Sequence, residues 1–103
     1  MVENKLQNLT CEDLEKISND FKALSDTNRI KIILFLLSGE KSVNAISESV
    51  NLSQPATSHH LRVLKNLGIL KMTRRANVNY YRVADEHIST IIKMSVMHLS
   101  CEE

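Results

Sequence analysis

N-L-S-Q-P-A-T-S-H-H-L-R-V-L-K-N-L-G-I-L, residues 51 to 70, combines a turn, a strong helix start and a basic polar face in one run. Ser53 is a good N-cap, Pro55 fits the first turn where a missing N–H costs nothing, and Gly68 is set to end the helix in a left-handed conformation. These signals predict a helix from about 54 to 67. Leu61, Leu64 and Leu67 form its apolar stripe, while Gln54, Ser58, Arg62 and Lys65 share another face with His59 beside it. Upstream, Val43, Ile46 and Val50 support a short helix, and the turn at Asn51 and Leu52 joins the two into a helix-turn-helix.

Gln, Ser, Arg and Lys are side chains that hydrogen-bond to base edges and phosphates, although the same face could be an ordinary solvated one. The charge map decides between these readings. From Ser49 to Ala84 there are six basic residues (Arg62, Lys65, Lys71, Arg74, Arg75, Arg82) and no acid, whereas the rest of the chain carries a net charge of −5. A whole-chain charge of +1 therefore hides a polarised molecule with the electrostatic footprint of a nucleic-acid binder.

With 103 residues, 43% hydrophobic and 24% charged, the chain reads as one small globular domain over 1–103, with residues 1–9 polar and expected to be disordered. So small a core makes dimerisation a reasonable supplement. The start has no apolar signal core and no run reaches bilayer length, so a cytoplasmic protein with no membrane partner is expected. Two cysteines far apart exclude a disulfide framework, and two glycines in all exclude a glycine-rich phosphate loop.

Thr10 caps a helix through about Leu24 with a stripe at Leu14, Ile17, Phe21 and Leu24. Asp26 starts the next, apolar almost all round to Gly39, which belongs in the centre. After Gly68, I-L-K-M-T-R-R and N-Y-Y-R-V read as a β-hairpin joined by A-N-V, with Arg74, Arg75, Asn77 and Asn79 at its tip. A cationic hairpin directly after such a helix is a wing, suited to the neighbouring backbone or minor groove. The fold class is mainly α with a β-hairpin, a winged helix-turn-helix.

The last helix, about Asp85 to Ser100, sets His87, Ile91, Met94, His98 and Cys101 on one face. His98 and Cys101 can bind one ion, but His87 lies roughly 16 Å away along the same helix. If the helix packs antiparallel against its copy across a two-fold axis, Asp85 and His87 of one chain meet His98 and Cys101 of the other. Each of two equivalent sites then offers a carboxylate, two imidazoles and a thiolate, which suits Zn(II) first, with Co(II) or Ni(II) as alternatives. Residue by residue the plainer readings are a helix N-cap for Asp85, interface residues for the histidines and a small terminal apolar group for Cys101.

F-K-A-L-S-D-T-N-R-I-K-I-I, L-S-Q-P-A-T-S-H-H-L-R-V-L-K-N-L-G-I-L and D-x-H-x10-H-x2-C, in this order from about residue 12 onward, resemble the ArsR/SmtB family of bacterial metal-responsive repressors, and within it the zinc sensors of the CzrA/SmtB type. The resemblance implies a winged-helix homodimer on double-stranded operator DNA with imperfect two-fold symmetry, bound when metal-free and released by metal. It assigns DNA contact to Gln54, Ser58 and His59, and metal ligation to Asp85, His87, His98 and the residue at Cys101. That last position is usually His or Glu in the zinc sensors, so Cys tilts preference towards thiophilic ions such as Cd(II), and Glu102 next door is an alternative ligand. S-V-N-A-I-S-E-S-V in the third helix lacks the cysteine pair of other members, which argues against a thiolate-rich site there.

Three rival readings stand beside this one. Cys11 and Cys101, at the outer ends of the first and last helices, can form a disulfide or persulfide switch in a thiol-sensing repressor. A winged helix can also serve as a protein-interaction module, against which the acid-free basic zone argues. An enzyme is disfavoured, because four protein ligands closing across an interface leave no open coordination position.

Overall fold

Ile32, Ile33 and Leu36 are all but fully buried, and the remaining elements are arranged around the helix that carries them. The computed structural model describes the backbone of residues 2–101 and the side chains of residues 5–101. In chain order the elements are α1 (Val2–Gln7), α2 (Cys11–Leu24), α3 (Thr27–Leu36), β1 (Lys41–Ser42), α4 (Val43–Val50), α5 (Gln54–Asn66), β2 (Leu70–Arg75), β3 (Val78–Val83) and α6 (Glu86–Ser100). Residues 1–9 were expected to lack regular structure, yet α1 forms. Its Lys5 Nζ lies 3.1 Å from Asp13 Oδ2, which ties the short helix to the first turn of α2.

Each long helix begins on a capping side chain. Thr10 Oγ1 accepts from Asp13 N at 3.0 Å while Asp13 Oδ2 accepts from Thr10 N at 3.0 Å, a reciprocal capping box. These bonds and Lys5 hold the Asp13 carboxyl at a pKa of about 2. Asp26 caps α3, Ser42 caps α4 and Ser53 caps α5. Asp85 Oδ1 caps α6, accepting from His87 N at 3.0 Å and Ile88 N at 3.3 Å; these bonds, Ile88's foremost, hold its carboxyl below the usual range.

Helix α5 ends as its sequence predicts. Gly68 sits at φ 77°, its N–H bonds to the Lys65 carbonyl at 2.9 Å, and the Ile69 N–H bonds to the Leu64 carbonyl at 2.9 Å. This is a Schellman closure, with buried Leu64 and Ile69 as the accompanying apolar pair. The buried side of α5 is Thr57, Leu61 and Leu64, and Leu67 is only half-buried, because it already caps the helix. Thr57 is fully buried with Oγ1 unbonded among the described residues. Asn51, in the left-handed region at φ 55°, makes the sharp reversal between α4 and α5.

The hairpin runs Leu70↔Val83 to Arg75↔Val78, so the loop is two residues, Ala76 and Asn77, and Val78 belongs to β3, not to the turn. Both loop residues have positive φ, the twist-matching two-residue turn of a hairpin. β1 was not expected; it pairs antiparallel with β3 through Lys41↔Tyr81 and Ser42↔Tyr80, giving sheet order β1-β3-β2.

The apolar stripes of the two flanking helices face outward. Of the α2 stripe only Leu24 is buried, while Leu14 and Phe21 are 53% and 58% exposed; on α6 Ile92 is buried but Met94 and Leu99 are 57% and 66% exposed. Phe21, Leu24, Ile30, Leu34, Ile92 and Leu99 line a cleft of about 530 Å³ between these helices and α3. Among the described residues no helix is long and apolar enough to cross a membrane.

Two outcomes follow. An added Cβ at Gly68 meets nothing within 4 Å, so Gly68→Ala suffers only the left-handed backbone penalty. We expect a loss of about 1 kcal/mol, read as a melting temperature lower by roughly 4–8 °C at fixed protein concentration. Asp85 has its carboxyl pKa lowered by folding, so its cap is fully in force above the unfolded value of about 3.9 and is lost as pH falls through the lower folded value. Protection of the His87 and Ile88 amides, taken relative to the intrinsic exchange rate at each pH, should fall in that acid window, and Asp85→Asn, which still caps, should abolish this dependence.

Candidate nucleic-acid face and metal-ligand face

The sequence reading named seven residues for DNA contact, and the structure brings most of them to one side. Ser58, Arg62 and Lys65 on α5 line a cleft of about 250 Å³ with Met72, Asn79 and Tyr81 of the hairpin. The 3.6-residue period aligns the first three, and the Schellman turn then folds the wing back beside them. Gln54 opens α5 on the same face, and its Nε2 donates to Asn44 Oδ1 of α4. His59 is exposed at the flank, its ring 6.0 Å from that of His60.

Arg74 and Arg75 differ from each other. Arg74 Nη1 donates to Asn79 Oδ1 across the hairpin at 2.9 Å, leaving an exposed cation steadied on the wing. Arg75 Nη2 lies 2.6 Å from Glu40 Oε1, and its guanidinium stacks over Tyr80 at 4.2 Å. This pairing holds the Glu40 carboxyl below its ordinary range and the Arg75 guanidinium above its own. Arg75 is thus engaged within the chain, at the edge where β1 meets β3.

Sequence reasoning missed Asn44, Glu40 and His60. Asn44 and Gln54 are ten residues apart across the turn, and the adjacency of two helices in a helix-turn-helix is the one signal that pointed there. Glu40 and Arg75 are 35 apart, and β1 alone brings them together. His60 Nδ1 accepts from Arg29 Nε at 3.1 Å, joining the recognition helix to the first turn of α3.

The second set lies along α6. Asp85 is the N-cap, His87 stands in the first turn with its side chain 86% exposed, His98 is in the last turn and Cys101 is the exposed C-cap. His87 Nδ1 is 3.6 Å from Asp85 Oδ1. Among the described residues no three His, Cys, Asp or Glu side chains of one chain converge well enough to hold a metal ion, so the two ends of α6 do not meet within a subunit. Glu102, the alternative ligand, lies outside the described residues. The turn that ends α5 is tied to the start of α6, since the Ala84 N–H donates to the Ile69 carbonyl at 2.9 Å, one residue before Asp85.

Comparison with known proteins accords with this architecture. Residues 26–71 match the family described as bacterial regulatory protein, arsR family. A protein of Staphylococcus aureus, "Cadmium resistance transcriptional regulatory protein CadC homolog", is 40% identical over 83 residues, which span 80% of this chain and 69% of that one. The HTH-type transcriptional repressor SmtB of Mycobacterium tuberculosis is 31% identical over 87 residues, 84% of this chain and 64% of the other. A homodimeric winged helix-turn-helix DNA-binding domain from Mycobacterium bovis, solved by NMR, is similar in structure with a TM-score of 0.80 at 26% identity, covering 84% of this chain and 81% of that one. The chain belongs to the ArsR family, whose winged helix-turn-helix members are transcriptional regulators and not enzymes.

Proposed function

We propose that this protein is a homodimeric repressor whose metal-free form binds operator DNA of imperfect two-fold symmetry and whose DNA affinity falls when a divalent ion, Zn(II) first, is held between the two α6 helices. The layout of α6 carries the reading: Asp85 and His87 at its first turn, His98 and Cys101 at its last, with exposed Met94 between them. In an antiparallel pair each first turn meets the partner's last, so both ends acquire a full set of four donors. The bare apolar side chains of α2 and α6 support that pairing, since covering each half-exposed group contributes roughly 1 kcal/mol.

The donors fit such an ion. The α6 cap uses Asp85 Oδ1, which leaves Oδ2 as a monodentate ligand, and exposed imidazole and thiolate donors suit zinc, cobalt, nickel or cadmium. The cadmium named for the Staphylococcus relative lends weight to the thiophilic end of that range. When bound, the ion supplies a cross-link between the two terminal helices. The chain supplies the coupling: the Ala84 N–H on the Ile69 carbonyl joins the start of α6 to the end of the recognition helix, and a bond from the second ring nitrogen of His98 towards the Leu67 to Ile69 turn would extend that route. A coupling of about 1–3 kcal/mol corresponds to a roughly 5–150-fold change in operator affinity. On the DNA side, Gln54, Ser58, His59 and Arg62 read the major groove, and Lys65 and Arg74 take phosphates.

A second reading rests on both thiols being exposed, Cys11 at the start of α2 and Cys101 at the end of α6, as a redox-sensing pair. Gel shifts with the DNA upstream of its own gene separate the two. Zinc should weaken binding by the wild type and not by His98→Ala, and unchanged zinc sensitivity in that variant would overturn the metal site. An oxidant response lost in Cys11→Ala would favour the thiol reading. In the same assay Glu40→Gln releases Arg75 towards the DNA, so affinity should rise severalfold and the salt slope should steepen by about one. An unchanged slope shows that Arg75, once released, takes no phosphate.

A further inference from the structure

A cleft of about 390 Å³ lies between α2 and the C-terminal half of α5, lined by Asn19 and Lys22, by Arg29 of α3, and by Val63, Asn66 and Leu67. Its lining holds two cations and two amides but no carboxylate. Arg29 is half-buried there. Its backbone N–H is taken by Asp26 and its Nε by His60, and among the described residues no bond holds Nη1 or Nη2. The terminal amines of Arg29 reach solvent, and their planar fork matches an oxyanion with two acceptor oxygens. Of the neighbouring acids, Asp26 caps α3 through Oδ1 while its charge also acts on Arg29 and His60, and Asp20 lines the adjoining recess that shares Asn19, Asn66 and Leu67.

We propose that this cleft binds a tetrahedral phosphate-type oxyanion, gripped by the two terminal amines of Arg29, closed over by Lys22 and oriented by the Asn19 and Asn66 amides. The site is independent of the metal reading. At 100° per residue, Asn19 and Lys22 lie well round α2 from Leu14, Ile17 and Phe21, so pairing through that bare stripe leaves the cleft open. The occupant would touch the C-terminal end of α5 directly at Asn66, and Arg29 adds a second tie to α5 through His60, so occupancy bears on how α5 is held. The same chemistry belongs to a DNA backbone phosphodiester running beside α5 and to a free phosphate.

Two measurements on the metal-free 103-residue chain test this. Inorganic phosphate, exchanged against chloride at constant ionic strength, should produce saturable amide shifts at Lys22, Arg29, Asn66 and Leu67. Lys22→Met should weaken that binding severalfold without changing the melting temperature. Lys22 is exposed, so this variant decides the matter even if Arg29→Met fails to fold. Shifts that do not saturate, that chloride reproduces or that survive Lys22→Met overturn the site. With the DNA upstream of its own gene, a salt slope reduced by about one in Lys22→Met, together with competition by phosphate, identifies the backbone phosphodiester as occupant. A retained slope with phosphate binding intact in the wild type identifies a free oxyanion.

Discussion

The backbone reversal at Gly68 holds three elements at once. The Ile69 N–H closes the recognition helix on the Leu64 carbonyl, the Ile69 side chain is buried in the core, and the Ile69 carbonyl takes the Ala84 N–H at the threshold of α6. One residue therefore belongs to the end of α5, the start of the wing and the approach to the last helix. Main-chain bonds alone thus connect Ala84 to the last turn of α5.

The same economy governs the wing. Arg74 is braced on Asn79, Arg75 on Glu40 and Tyr80, and β1 adds a third strand to what would otherwise be an isolated hairpin. An isolated two-stranded hairpin is marginal in water, and a third strand and ion pair fix its direction relative to α5. The wing is thus held in place by contacts within its own chain. Glu40 sets a carboxylate against this cationic edge, from a position nine residues upstream of the acid-free run that begins at Ser49.

What could be read from the sequence was local. The cap at Ser53, Pro55 in the first turn and Gly68 after the last defined α5 to within a residue, Thr10 did the same for α2, and the nearly all-apolar run after Lys31 marked the central helix. The contacts that needed tertiary proximity were not legible. A two-residue strand has no period to detect, and Glu40 meets Arg75 across 35 positions only because that strand exists. Leu14, Ile17 and Phe21 show the related limit: a stripe reveals which side of a helix is apolar, not whether its own subunit covers it. Thr57 is fully buried in the first turns of α5, where a stripe defined by leucines marks no core position. On α6 the spacing of Asp85, His87, His98 and Cys101 was plain, and a single subunit leaves the two ends apart.

The exposed outer side of α6 has a consequence for dosage. Met94, Val96, Met97 and Leu99 all lie at the surface of a lone subunit, so each molecule gains by finding a second. Association depends on how many copies the cell holds. A sensor whose donor sets assemble only between copies would therefore respond to its own abundance as well as to its signal, and a cell could retune the threshold by changing how much of the protein it makes.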